Sequence, residues 1–135
     1  MSKKKAVEKW AELTNRGNAK QEEGDLDGAI ADFTRAIALA PAELAPRYNR
    51  GNARALAGDL EASIDDYTEA LRMDPRFALA YTRRALARQR LDDLAGAEDD
   101  LTRSLEIAPD DPDTLVTRGS VRALRADYAG ALAEC

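Results

Sequence analysis

Basic and acidic side chains recur in this sequence at a fixed interval, and their types define the chemistry open to it. Arg16, Arg50, Arg84 and Arg118 stand 34 residues apart, as do Lys20, Arg54, Arg88 and Arg122, so two columns hold eight cations. A third column, Asp32, Asp66, Asp100 and Glu134, supplies one acid to each interval. Two uses suit such groups. A guanidinium fork can grip a ligand carboxylate or phosphate in two parallel hydrogen bonds, or it can satisfy a carboxylate of its own protein while its stem covers apolar surface. Because each interval carries its own acid, the spacing predicts an internal ladder: Arg50 within reach of Asp66, with the same pairing in the first and third intervals.

Other reactive groups are scarce. The chain has no histidine, which removes His-containing metal sites, a histidine general base and the Ser-His-Asp and Cys-His arrangements. Its single cysteine, Cys135, cannot form a disulfide within the chain, and the neighbouring Glu134 opposes thiolate formation. Gly17-Asn18-Ala19-Lys20 and Gly24 to Gly28 lack the spacing and the preceding strand of a phosphate-binding loop. No catalytic, cofactor or metal site is therefore expected. The net charge of −5 disfavours nucleic acid, and Lys3-Lys4-Lys5 is too short a run to make a lipid or nucleic-acid patch. No apolar stretch approaches the roughly 18 residues of a membrane span, and the Met-Ser-Lys-Lys-Lys start lacks a signal-like segment, so a cytoplasmic location is expected.

The elements that must position these side chains are helices. A fifth of the chain is alanine and only seven residues are aromatic, a balance that favours helix over strand. The 34-residue period also runs through Pro41, Pro75 and Pro109, through Gly17, Gly51, Ala85 and Gly119, through Ala29, Ser63, Ala97 and Ala131, and through Ala36, Ala70 and Ser104. Bulky positions repeat beside them as Phe33, Tyr67 and Leu101 and as Ile37, Leu71 and Leu105. Each unit reads as two amphipathic helices around a short breaker. In the second, residues 44 to 57 precede Gly58-Asp59 and residues 60 to 73 follow, with Gly58 suited to a left-handed helix end and Asp59 to capping the next start. Gly24-Asp25 matches this, whereas Asp92-Asp93 and Ala126-Asp127 lack the glycine, which predicts strained or differently shaped turns. Small residues such as Gly51 and Ser63 mark where two helices cross closely, Tyr67 and Leu71 fill the space beside them, and Pro75 ends the second helix.

Together Tyr48-Asn49-Arg50-Gly51-Asn52-Ala53, Gly58-Asp59, Tyr67, Ala70 and Pro75 resemble the tetratricopeptide repeat, and the resemblance covers nearly the whole chain. It implies an all-α fold, a right-handed superhelical array of antiparallel helix pairs with about 3.7 repeats. The units run 10–43, 44–77, 78–111 and an incomplete 112–135, with residues 1–9 extending the first helix, all within a single domain. The family usually places a large apolar residue and an aromatic where the two cation columns stand here. The resemblance also implies a noncatalytic interaction scaffold whose first helices line a groove for a peptide or helix of another protein. Asn15, Asn18, Tyr48, Asn49, Asn52, Leu79, Arg83, Leu86, Arg90 and Val116 are its candidate contacts, with Thr14, Gln21, Glu22, Ala55, Leu56, Thr82, Thr117, Ser120 and Leu124 alongside. Side-chain amides can both donate to and accept from a peptide backbone, and arginines can hold a carboxylate. Some members grip the terminal carboxylate of heat-shock chaperones with two lysines, two asparagines and an arginine. Asn18, Asn49 and Arg83 match that set, but Thr14 and Leu79 occupy the lysine places. A homo-oligomer that stacks through the incomplete last unit is the alternative expectation.

Overall fold

The structure, a computed structural model, describes residues 3–134, with side chains described for 9–130 and 132. Seven helices succeed one another among these residues: α1 (Lys3–Glu22), α2 (Leu26–Leu39), α3 (Leu44–Leu56), α4 (Leu60–Met73), α5 (Ala78–Arg90), α6 (Leu94–Ile107) and α7 (Pro112–Glu134). They group into two compact units, Met1–Pro75 and Arg76–Cys135. In the first, α1 packs on α2, α2 on α3 and α3 on α4; in the second, α5 packs on α6 and α6 on α7. Ala29, Phe33 and Ala53 form a buried cluster in the first unit, joined by Ile30, and Ala85, Leu94, Ala97, Leu101 and Val121 form one in the second.

Complementary sizes bring the helices of each hairpin together. A methyl group added at Gly17 would lie 2.6 Å from Phe33, and one at Gly51 would lie 2.8 Å from Tyr67 and 3.2 Å from Asp66 Cβ. The third hairpin has the smaller Leu101 in the aromatic place, and there Ala85 fits and is buried. A ring thus requires glycine opposite it, and a leucine admits alanine. The neighbour pressed against Gly51 is Tyr67 rather than the expected Ser63, which is itself buried with its Oγ donating to the Leu60 carbonyl at 2.8 Å. At Gly119 an added methyl meets nothing within 4 Å.

The breakers act through backbone geometry. Gly24 and Gly58 take φ of 88° and 87°, and Asp92 takes the same region at 63°. In all three turns the following amide donates five residues back, from Asp25 to Lys20 at 2.8 Å, from Asp59 to Arg54 at 2.9 Å and from Asp93 to Arg88 at 2.9 Å. The third turn therefore keeps the shape and carries the strain, because a short polar side chain tolerates the left-handed region at a cost that glycine avoids. Asp92→Gly is expected to stabilise the chain by about 0.5–1 kcal/mol, read as a higher urea midpoint. No turn forms at Ala126-Asp127: α7 runs through it to Glu134, so the expected fourth hairpin is replaced by one long helix. Alanine is the best helix former and lacks the aspartate's tolerance of the left-handed region, so nothing local breaks the helix there.

Capping by Asp59 also differs from expectation. Asp25 and Asp93 accept from the amides of Gly28 and Gly96 at 2.9 Å and 3.0 Å, while Asp59 makes no side-chain cap bond. A methyl at Gly28 or Gly96 would lie 2.2 Å or 2.3 Å from the capping carboxylate, and the second hairpin has Ala62 in that place. The methyl of Ala62 occupies the room the carboxylate needs.

Candidate functional site

The predicted ladder is present in three hairpins. Arg16 Nε and Nη2 donate to Asp32 at 2.9 Å each, Arg50 Nε and Nη2 to Asp66 at 3.0 Å and 2.8 Å, and Arg84 Nε and Nη2 to Asp100 at 2.9 Å and 2.6 Å. The second column adds another cation to each acid: Lys20 at 3.0 Å, Arg54 at 2.9 Å and Arg88 at 2.8 Å. All three acids are buried. A buried carboxylate persists only when its oxygens are satisfied; the two columns supply two cations to each acid here, and Asp32 takes a third from Arg35 at 3.2 Å. These six column cations therefore serve the fold. In the last unit, Glu134 lies outside the described side chains, and so does Cys135. Arg122 instead donates to Glu98 at 2.9 Å, joined by Arg125, and so ties α7 to α6. The sequence signal for this link is Glu98 itself, a charge in the column otherwise filled by Ile30 and Ile64.

Hydrogen bonding from Arg16 outweighs the cost of burial and holds the Asp32 carboxyl down to about 2 from its ordinary value of 3.8, with Lys20 assisting. The folded chain thus keeps this carboxylate charged at pH values where the unfolded chain has bound a proton. Its contribution to stability is complete above about pH 4 and is lost as the pH falls toward about 2. The urea midpoint is expected to drop across that window, and Asp32→Asn to flatten the drop. Equal slopes for the two proteins would exclude Asp32 as the source.

The candidate contacts fall into separate groups. In the first unit Asn15 and Asn18 are exposed on α1, and Tyr48, Asn49 and Asn52 are half-buried on α3. Asn52 is already engaged: its Oδ1 accepts from the Tyr67 hydroxyl at 2.6 Å, and the Tyr48 ring lies 5.9 Å from that of Tyr67. Asn18 stands in the same place opposite Phe33, which has no hydroxyl to offer. Thr14, in a lysine place of the chaperone-binding set, is buried and donates to the Trp10 carbonyl at 2.7 Å. Thr82 is likewise turned to structure, sharing hydrogen bonds with Ser104 at 2.8 Å and Thr114 at 3.2 Å. In the second unit Leu79, Arg83, Leu86 and Arg90 are all exposed on α5, as is Val116 on α7. The four on α5 follow one another at four, three and four residues, the spacing of a single helix face. Arg83 has no hydrogen-bond or ion-pair partner among the described residues. Among those residues no three His, Cys, Asp or Glu side chains converge as metal ligands, and no helix is long and apolar enough to cross a membrane.

The profile of the tetratricopeptide repeat family matches residues 14–75 and 48–112. The chain belongs to the tetratricopeptide repeat family. No curated protein matches the sequence of this repeat protein. Among solved structures it is similar to the second TPR of Spaghetti (RPAP3) bound to the HSP90 peptide SRMEEVD, at 30% identity and a TM-score of 0.72, over 75% of this chain and 94% of that one. The first TPR of Spaghetti, bound to the same peptide, aligns at 25% identity with a TM-score of 0.86, over 89% and 95% of the two chains. The second TPR domain of human RPAP3, in complex with the HSP70 peptide SGPTIEEVD, aligns at 26% identity with a TM-score of 0.81, over 90% and 98%.

Proposed function

We propose that this tetratricopeptide repeat chain is a noncatalytic interaction scaffold that binds a peptide or helical segment of another protein. The observation that carries the reading is the α5 stripe: exposed Leu79 and Leu86 alternate with exposed Arg83 and Arg90, and Arg83 lacks a partner among the described residues. Apolar side chains supply contact area, and a guanidinium fork fixes a carboxylate, so the fitting ligand combines an apolar residue with an acid. The three chaperone-peptide complexes among similar proteins support a peptide as the ligand class. A stripe built on a packed helix brings little ordering cost on the receptor side.

The lysine places held by buried Thr14 and exposed Leu79 argue against strong binding of the chaperone tail itself. In a fluorescence titration SRMEEVD is expected to bind weakly, and Leu79→Lys to tighten it about tenfold, since a cation at that place adds one charge-assisted contact. Peptides selected by display against the chain are expected to lose saturable binding in Arg83→Glu while the thermal melt stays unchanged. Selected peptides indifferent to both Arg83→Glu and Leu86→Asp would remove the reading.

Self-association has one observation in its favour: α7 exposes Val116 at 70%, Tyr128 at 56% and Leu132 at 77%, the last two beside Leu94 and Ala95 of α6. If copies stack there, sedimentation velocity shows a concentration-dependent species that Tyr128→Glu abolishes. A strictly monomeric chain across the micromolar range retires that alternative.

A further inference from the structure

The second hairpin shows how a helix covers a surface that the first hairpin leaves open. Ala53 of α3 packs with Ala29 and Phe33 of α2, Pro46 is buried, and Arg50 Nη1 donates to Thr34 Oγ1 at 3.3 Å. Under this cover the Arg50 side chain is 14% exposed. One repeat earlier, the same places on α1 are Glu12, Ala19 and Arg16; all three are exposed, and the Arg16 side chain is 54% exposed. Arg16 commits Nε and Nη2 to Asp32, as Arg50 commits its own to Asp66, but no described residue accepts from Arg16 Nη1. Beside it a groove of about 740 Å³ runs between α1 and α2. Leu13, Ala38 and Leu39 line it with Lys9, Arg16 and Arg35, against a single acid, Glu12.

We propose that this face of α1, with its groove, is a docking site for an amphipathic helix of a partner protein that carries carboxylates beside its apolar stripe. The shape of the occupant is read from α2 on α3, which shows that the repeated surface accepts a helix. Its charge is read from the groove: three cations face one lining acid on a chain whose net charge is −5, and the Asp32 carboxylate beneath is already satisfied. A partner glutamate set where Thr34 meets Arg50 accepts from Arg16 Nη1, a charge-assisted bond stronger than one to a hydroxyl. The apolar lining holds the helix, and the exposed charges select it and speed its arrival. This face lies apart from the α5 stripe in both residues and helices.

The probe is a fluorescein-labelled helical peptide with the sequence of residues 26–39 and Thr34→Glu, stapled on the side away from Ile30 and Thr34. Titrated with the full chain and followed by anisotropy, it is expected to bind saturably and to weaken as salt is raised. Lys9→Glu with Arg35→Glu is expected to weaken it about tenfold, the effect of reversing two exposed charges. Leu39→Glu changes the groove lining without touching an ion pair and is expected to give a comparable loss, so a folding defect in the double variant cannot decide the result. Absence of saturable binding, or binding indifferent to these substitutions, overturns the proposal. Loss confined to Arg83→Glu would place the probe on α5 and overturn it too. Self-association of the chain that Arg35→Glu abolishes would make a second copy the occupant, which equally overturns it.

Discussion

Asp66→Ala is expected to lower the unfolding free energy by about 3 kcal/mol, measured by urea denaturation, and to do so without changing peptide affinity per folded molecule. The carboxylate is 4% exposed and receives three hydrogen bonds, two from Arg50 and one from Arg54. Removing it leaves two guanidinium groups, 14% and 25% exposed, side by side with no acid between them. Breaking one partner of a buried pair costs about 3–5 kcal/mol, because the remaining charge is stranded away from water. The lower end applies here, since the Arg54 stem can carry its head toward solvent. The decisive comparison is Asp66→Leu combined with Arg50→Met, which replaces the pair with apolar volume. That double variant is expected to recover at least half of the loss. If it is instead as unstable as the two single substitutions summed, the residues do not act as a unit and the ladder is incidental to stability.

The ladder was legible because a single register governs both columns. A cation and an acid sixteen residues apart, on either side of a turn of constant length, must face each other in every hairpin once they face each other in one. The same holds for the proline that closes each second helix, whereas the close neighbour of Gly51 is the Tyr67 ring and not the Ser63 that the column of small residues suggested. Features set by one local atom were not legible in this way. Asp59 loses its cap to the methyl of Ala62, and Ala126 lets α7 continue where Asp92 allows a turn. Glu98 draws Arg122 across to α6, a partner that the column of acids did not suggest. The candidate contacts divide along the same line. Exposure of Leu79, Arg83, Leu86 and Arg90 follows from their common helix face. The engagement of Asn52 depends on a hydroxyl that Tyr67 has and Phe33 lacks, and the closure of Thr14 on the Trp10 carbonyl is a local hydrogen bond invisible to any repeat pattern.

Gly51→Leu is expected to destabilise the chain by about 3 kcal/mol and to broaden its thermal transition. The first carbon of any side chain at this place would lie 2.8 Å from the Tyr67 ring and 3.2 Å from Asp66 Cβ, and neither neighbour can withdraw freely. Tyr67 is 1% exposed and anchored by its hydroxyl to Asn52, while Asp66 is locked between two arginines. Leucine gains roughly 0.8 kcal/mol of helix propensity over glycine, which is less than the cost of prising the two helices apart. The third hairpin supplies the compensating change, because Ala85 sits there opposite Leu101 with both buried. Gly51→Ala with Tyr67→Leu is therefore expected to be more stable than Gly51→Ala alone, even though the second substitution removes the bond to Asn52. The same column gives the opposite sign on α7. Gly119 meets nothing within 4 Å, so Gly119→Ala is expected to stabilise the helix by about 0.8–1 kcal/mol through propensity alone. Equal effects of alanine at positions 51 and 119 would mean that close packing against Tyr67 is not what requires glycine at 51.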